Sequence, residues 1–320
     1  MDAAINRDRL TFELAILGLI RPVHKKPKRF LLQITNSWLI LLLLATGHAC
    51  ANTEPTFAHG LLFRIEQPGI PPSYIFGTIH SEDPRVLSLP KSVSSAFDRA
   101  DTLVLELDLK PATLQASIAG MFLQDGRELH GIIGAKLYEQ AVNFITDSGI
   151  PEEAIRKFKP WGIVMLLSMP PTKTGQFLDL TLYQSAIAQN KNTQGLETVE
   201  EQLAVFDQLP EINQIAMLRN TLKHRPQFEQ MFEELLAAYL KRELGTLVQL
   251  SQKYGPTDID TARRLEERLV TKRNLLMANR MNPILKQGNS FIAIGALHLP
   301  GPKGVLNLLQ QQGFQVTVEY

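Results

Sequence analysis

The sequence predicts an α/β protein in which two related β/α halves form a mixed sheet region flanked by helices, with a long helical insert or cap between them. Three observations carry this. Short β-branched or aliphatic runs bounded by Pro and Gly alternate with helical spacing after about residue 60, and the same alternation returns at the C-terminus. The stretch from about Pro111 to Gln287 is instead dominated by helical periodicity.

The chain of 320 residues carries 33 Lys+Arg against 32 Asp+Glu, with 44% hydrophobic residues and one Cys. Such a composition allows one large domain or two small ones and excludes a mostly disordered chain, a collagen-like one and a disulfide-stapled miniprotein. The near-zero charge offers no global attraction to nucleic acid or to acidic lipid.

Charge and cysteine are unevenly placed. Arg21 to Arg29 reads RPVHKKPKR, and an uncharged stretch follows from Phe30 to Thr53 with an apolar block at Trp38 to Ala45. A basic region, an apolar region and then small residues is the order of a secretory signal, and Ala49-Cys50-Ala51 predicts cleavage after Ala51. Two other readings are lipidation at Cys50 and an uncleaved membrane anchor reaching back to Phe30. Residues 1–51 hold seven of the basic and three of the acidic residues, so a chain from Asn52 has 26 basic and 29 acidic residues, net −3, and no cysteine. That suits an exported compartment, periplasmic or extracellular, and removes thiol chemistry and zinc–thiolate sites from consideration. Contact with a membrane is expected only through this N-terminal segment, and the pattern carries no signal for an oligomeric state.

Residues 52–320 then read as one domain. Strands are predicted at Leu61 to Glu66, Tyr74 to Ile79 and Thr102 to Leu109. Between the last two, Val93, Ala96, Phe97 and Ala100 recur at helical spacing, giving a strand–helix–strand unit and hence a parallel pair. Helices are expected within the insert over Phe228 to Leu240 and Leu265 to Met281. At the C-terminus come a strand at Ser290 to Ile294, a helix at Gly304 to Gln312 stopped by Gly313, and a final strand at Phe314 to Tyr320.

Two of these strands end in the same pattern, Gly77-Thr78-Ile79-His80 and Gly295-Ala296-Leu297-His298. With 20 Gly and seven His in 320 residues, chance alone predicts about 0.4 G-x-x-H matches, so two are only mildly unusual. Their shared place adds weight, because open α/β sheets put their ligand crevice at the carboxyl ends of strands. Gly would let the backbone turn after each strand so that His80 and His298 project into one crevice. Two neutral imidazoles and a carboxylate would suit a hard-to-intermediate divalent metal.

The carboxylate candidate is Glu106. In Thr102 to Leu109 alternation puts the four leucines on one face and Val104, Glu106 and Asp108 on the other, and an acid in so apolar a strand must be paired, metal-bound or at an end. Asp108 is nearer the solvated end. In GLETVEEQ, Thr198 and Glu201 form a capping box, whereas Glu197 precedes the cap and is a crevice candidate. His59, His130 and His224 read as loop residues. No H-E-x-x-H, G-x-S-x-G, Walker or G-x-G-x-x-G pattern appears.

Taken in series, YIFGTIH (74–80), VLELDL (104–109), Lys159-Pro160-Trp161, GLETVEEQL (195–203), Arg273-Asn274 and FIAIGALHLPG (291–301) resemble the TraB/GumN family, which includes the Tiki-type proteins that cleave Wnt. The resemblance runs from about Gly60 to Tyr320. It implies an α/β fold of two related halves, akin to erythromycin-esterase-like and haem-binding ChaN-like proteins, with both G-x-x-H motifs in one cleft. For Tiki-type members it implies a metalloprotease active with manganese or cobalt, and hence a peptide or protein substrate. By motif, His80 and His298 match the paired histidines and Glu106 the acid after the first, giving the expected metal set. Glu197 and Arg273 match further polar positions and are the expected catalytic residues, Glu197 as base or added ligand and Arg273 as oxyanion or carboxylate partner. The chain departs at Lys272, where an acid is common in the family. The rival expectation is a non-catalytic periplasmic binding protein using the same cleft for a peptide, a metal or haem.

Overall fold

The computed structural model describes residues 56–320 apart from 146–149, 171–173 and 257–258. The predicted leader, with Cys50 and the cleavage point after Ala51, lies outside the described residues. Among those residues no helix is long and apolar enough to cross a membrane.

The predicted α/β architecture is present as a mixed six-stranded sheet flanked by helices. Its strands are β1 (Leu62–Glu66), β2 (Ser73–Thr78), β3 (Thr102–Leu105), β4 (Asn192–Gly195), β5 (Ser290–Gly295) and β6 (Gln315–Val318), in the order β4-β3-β5-β2-β1-β6. β2, β3, β4 and β5 run parallel, while β1 pairs antiparallel with both β2 and β6. The strand–helix–strand unit does form, with α1 (Pro84–Leu87) and α2 (Lys91–Arg99) between β2 and β3. Its two strands are parallel but not neighbours: β5, arriving from nearly 200 residues later, separates them and pairs with both. All six β5 residues are buried, the state expected of a central parallel strand covered on both faces.

Between β3 and β5 the chain forms α3 (Pro111–Ala119), α4 (Leu129–Ile133), α5 (Ala135–Ile145), α6 (Glu152–Ile155), α7 (Pro160–Leu167) and α8 (Leu178–Ala188) before β4 joins the sheet edge. After it come α9 (Val199–Asp207), α10 (Glu211–His224), α11 (Phe228–Leu240), α12 (Leu244–Tyr254), α13 (Ile259–Glu266) and α14 (Lys272–Leu285), and α15 (Val305–Gln311) lies between β5 and β6. These elements build two cores. One surrounds the sheet; the other is helical and centres on Phe158, Trp161 and Phe206, with the Trp161 and Phe206 rings stacked at 5.2 Å. His130 and His224, expected in loops, lie within α4 and at the end of α10.

Because β2, β3, β4 and β5 are parallel, their carboxyl ends meet at one edge. Register sets the details. Thr78 lies beside Gly295, and Leu105 lies beside both Ala293 and Gly195. Beyond the strand ends, the Leu196 and Glu197 N–H groups donate to the Leu105 and Glu106 carbonyls, each at 2.8 Å. Glycine makes this closeness feasible. A Cβ on Gly195 would stand 2.6 Å from the Asp108 nitrogen, and one on Gly77 would stand 2.7 Å from Leu299 Cδ1 and 3.2 Å from Ala296 Cα. Neither motif glycine uses a left-handed turn: Gly295 has φ −52°, and Gly77 is not among the positive-φ glycines. At Gly77 close approach to Ala296 and Leu299 takes the place of the expected left-handed turn, and it lets the two G-x-x-H segments pack on each other.

Candidate functional site

β3 ends at Leu105, so Glu106 sits one residue past the strand rather than inside it. Alternation had no polar face to mark that end, because Leu103, Val104 and Leu105 are all buried. Glu106 turns into the crevice, where Oε1 accepts from the Gly295 N–H at 2.7 Å and Oε2 accepts from Arg273 Nη2 at 2.6 Å. The acid that follows the first G-x-x-H motif is thereby tied to the second.

Arg273 occupies the second position of α14, directly after a π-helical turn at Glu267–Thr271, the kind of irregularity found where a helix re-aims a functional side chain. Its side chain is 5% exposed. Nε donates to Glu197 Oε1 and Oε2 at 2.9 and 3.1 Å, and Nη2 donates to Glu197 Oε2 at 2.6 Å as well as to Glu106. Burial alone would lower the guanidinium pKa, but the two carboxylates outweigh it and raise it. Glu197, with a side chain 1% exposed, also accepts from Gln202 Nε2 at 3.0 Å. Lys272 is exposed. The support for Arg273 therefore comes across the sheet, from residues 167 and 76 positions away in the chain. Glu201 does form the expected capping box with Thr198 and additionally binds Arg280 at 2.6 Å.

His298, fully buried, follows β5 in a short 3₁₀ turn. Asn274 fixes its tautomer. The Asn274 amide nitrogen donates to the Lys303 carbonyl at 2.8 Å, so its oxygen faces His298 and accepts from Nδ1 at 2.5 Å. The Nε2 lone pair is then directed toward Glu106, with Oε1 at 3.7 Å, and has no hydrogen-bond partner. Burial first, and then the Arg273 charge, hold His298 well below its ordinary pKa.

His80, 9% exposed, follows β2 and lies against the Phe177 ring at 4.0 Å. Neither of its ring nitrogens has a partner. Burial pushes it down to about 3, leaving it neutral. Beside it is Asp179, which sequence reasoning does not single out. Asp179 stands in the first turn of α8; Oδ1 accepts from Thr78 Oγ1 at 2.9 Å, while Oδ2 is buried, unpartnered and 3.6 Å from His80 Nδ1. With His80 neutral this contact is not an ion pair. Burial pushes Asp179 up to about 7, opposed by the Thr78 hydrogen bond and aided by the negative Glu106. A signal for it existed: Asp179 is the single charged residue from Gly175 to Asn190, and an isolated acid in an apolar stretch needs a reason.

Four of the five predicted site residues are thus linked, Glu197–Arg273–Glu106 and then Glu106–His298, while the fifth, His80, pairs with Asp179 and lines the same cavity as Glu106. A divalent metal fits the donors in kind, because both imidazoles are neutral and His298 Nε2, both His80 nitrogens and Asp179 Oδ2 are buried without partners. Among the described residues, however, no three of His, Cys, Asp and Glu stand close enough together to hold an ion as arranged; the donors form two pairs.

A family model described as the TraB/PrgY/gumN family matches residues 61–318. Metalloprotease TIKI1 of Danio rerio is 25% identical, the match covering 83% of this chain and 64% of that protein. Metalloprotease TIKI1 of Homo sapiens is also 25% identical, with 88% of this chain and 68% of that protein covered. Uncharacterized protein YbaP of Escherichia coli (strain K12) is 24% identical over 77% of this chain and 90% of its own length. The chain spans 57–64% of the length of the TIKI relatives from Danio rerio and Xenopus tropicalis. No solved structure gives a significant match.

Proposed function

The chain belongs to the TraB/PrgY/gumN family, and from that membership and the chemistry of its crevice we propose that it is an exported, divalent-metal-dependent hydrolase acting on peptides or proteins. One observation carries the reading: four polar atoms, both His80 ring nitrogens, His298 Nε2 and Asp179 Oδ2, are buried without hydrogen-bond partners beside the fixed carboxylate of Glu106, and neutral His80 offers a lone pair at one of its two. Relatives named as metalloproteases support it.

In this reading His80, His298 and Glu106 hold the metal, manganese or cobalt as the family resemblance implies. When bound, such an ion supplies Lewis-acid polarisation of a carbonyl and activation of water. The chain's own groups do the rest. Asn274 keeps the His298 proton on Nδ1 and Nε2 free. Arg273 and the Gly295 N–H hold both oxygens of Glu106 in place, and Glu197, engaged by Arg273 and Gln202, serves as the anchor of Arg273 rather than as a base. Asp179, with its carboxyl near neutrality, takes the proton from attacking water and returns it to the leaving amine. The predicted leader would deliver the protein to the periplasm or the exterior, cleaved after Ala51.

The test is cleavage of a mixed peptide library by purified protein with Mn²⁺ or Co²⁺, read by mass spectrometry, alongside His80→Ala and His298→Ala. Wild-type cleavage lost by at least about a hundredfold in either variant is expected, the scale of removing an essential group. Equal cleavage by the variants contradicts the site. Metal-dependent stabilisation with no cleavage by the wild type would favour the non-catalytic binding protein.

A further inference from the structure

The two histidines of the crevice are not held alike. Asn274 aims the His298 ring through a hydrogen bond, whereas neither ring nitrogen of His80 has a hydrogen-bond partner. Packing must then set the direction in which the His80 nitrogens point. The Phe177 ring supplies it, lying 4.0 Å from the His80 ring with the two planes 33° apart. The Asp179 carboxyl, 3.6 Å from Nδ1, is beyond hydrogen-bonding reach and cannot do so.

Phe177 is positioned by the segment that leads into α8. It is buried and extended, with φ −123° and ψ 165°, directly before the helix begins. Two residues earlier the chain turns at Gly175, whose φ of +76° a side chain would oppose. Glu82 closes on that turn: Oε1 accepts from the Gly175 N–H at 2.7 Å, and Oε2 accepts from the Thr174 N–H at 2.8 Å and the Thr174 hydroxyl at 3.1 Å. The same hydroxyl accepts from the Gln176 N–H at 3.1 Å, so three consecutive residues are fixed from one carboxylate. Glu82 itself stands two residues beyond His80, between β2 and the Asp83 cap of α1. The result is a closed ring of contacts: His80 to Glu82 along the chain, Glu82 to Gly175 by hydrogen bond, Gly175 to Phe177 along the chain, and Phe177 back to His80 by packing.

We infer that Glu82 is a positioning residue of this site: by holding the Thr174–Gly175 turn it seats Phe177 on the His80 ring and so sets the direction of the His80 nitrogens. The inference rests on the metal reading above and deepens it, since it names what orients a ligand that has no hydrogen bond of its own. Groups that orient a metal-binding histidine typically change metal affinity by about 10- to 100-fold when removed. The fold should tolerate the loss, because α8 keeps its buried Leu178, Leu182 and Ala186 and the Thr78–Asp179 hydrogen bond.

The experiment measures Mn²⁺ affinity by calorimetry for the purified wild type, Glu82→Ala, Phe177→Leu and the double variant. It also follows the His80 Cε1–H signal by NMR in the metal-free forms, assigned by its disappearance in His80→Ala. Glu82→Ala is expected to weaken Mn²⁺ binding by about tenfold or more and to shift the His80 signal, which the Phe177 ring current displaces. In the Phe177→Leu background the same substitution should change the affinity by less than about twofold, the mark of two residues that act as one. Glu82→Gln, which keeps the shape and one oxygen, replaces Glu82→Ala if the latter fails to fold. An unchanged affinity, an unmoved His80 signal, or an equal loss of affinity in both backgrounds each overturn the positioning role and leave the metal reading standing. Absence of Mn²⁺ binding by the wild type overturns the metal reading; the His80 signal then decides the positioning role, which stands if the signal moves in Glu82→Ala and falls if it does not.

Discussion

Replacing Arg273 with Met is expected to cost the fold about 3–5 kcal/mol, the range seen when one partner of a buried ion pair is removed. Arg273 is the shared donor for Glu106 and Glu197, and the Glu197 side chain is almost fully buried. Without the guanidinium, two carboxylates remain close together in low dielectric, and Glu106 keeps only the Gly295 N–H while Glu197 keeps only Gln202. The cost is that of stranding charge, so it should fall when the charge is removed too. Arg273→Met in a Glu106→Gln/Glu197→Gln background is therefore expected to recover much of the loss, because buried ion networks replaced as a whole are often near neutral in stability. Urea unfolding of the four forms at pH 7 checks this. A loss below about 1 kcal/mol for the single variant, the scale of an exposed pair, would mean that the triad does not hold the crevice together.

Asp179→Asn is expected to separate stability from activity. The carboxyl is raised from the ordinary Asp range to about 7 by burial. A carboxyl so raised holds its proton more tightly in the native state than in the unfolded chain. Its favourable contribution is therefore present below about pH 4 and is lost as pH rises through about 7. Since raising a pKa by one corresponds to about 1.4 kcal/mol, the raised carboxyl costs the metal-free native state about 4 kcal/mol at pH 8, where it is ionised, and about 1–2 kcal/mol at pH 5, where it holds a proton that the unfolded chain has released. Asn keeps an oxygen for the Thr78 hydroxyl and has no charge to bury. The variant should therefore gain stability over the wild type by about 2–3 kcal/mol more at pH 8 than at pH 5. His80 and His298, both depressed, act in the opposite direction, losing stability as pH falls below their ordinary range, but they are common to both proteins and cancel in the difference. Hydrolysis should fall by about 10²–10⁴, the usual contribution of a general base. A variant no more stable at pH 8 than at pH 5, relative to wild type, would contradict the buried charge at Asp179.

Much of this arrangement is legible in the sequence, and the failures share a cause. Strands around Leu62, Tyr74 and Ser290 and helices such as Phe228–Leu240 announce themselves through local periodicity, and the paired G-x-x-H motifs do mark strand ends on one sheet edge. Sheet order does not announce itself: nothing local says that β5 inserts between β2 and β3. β4 is four residues, Asn-Thr-Gln-Gly, with no apolar alternation, and is a strand because β3 offers it an edge. The end of β3 is overrun because burial on both faces erases the period-two signal. The same holds for the site. Glu106, Glu197 and Arg273 can each be nominated by chemistry, but their mutual pairing, and the placement of Asp179 beside His80, exist only once α8 and α14 are packed against the carboxyl edge of the sheet.

Metal capture by the two histidines is the claim on which the rest depends, and thermal unfolding during titration with Mn²⁺ and Co²⁺ after chelator treatment tests it most directly. Metal at about a hundredfold excess over its dissociation constant stabilises a one-site protein by about 2.7 kcal/mol. For a chain of this size that is a rise in Tm of roughly 5–10 °C. The account predicts such a rise in the wild type and its loss in His80→Ala and His298→Ala, each compared with its own metal-free form. No rise in the wild type at millimolar metal, or the same rise in both variants, would contradict a metal held by His80 and His298.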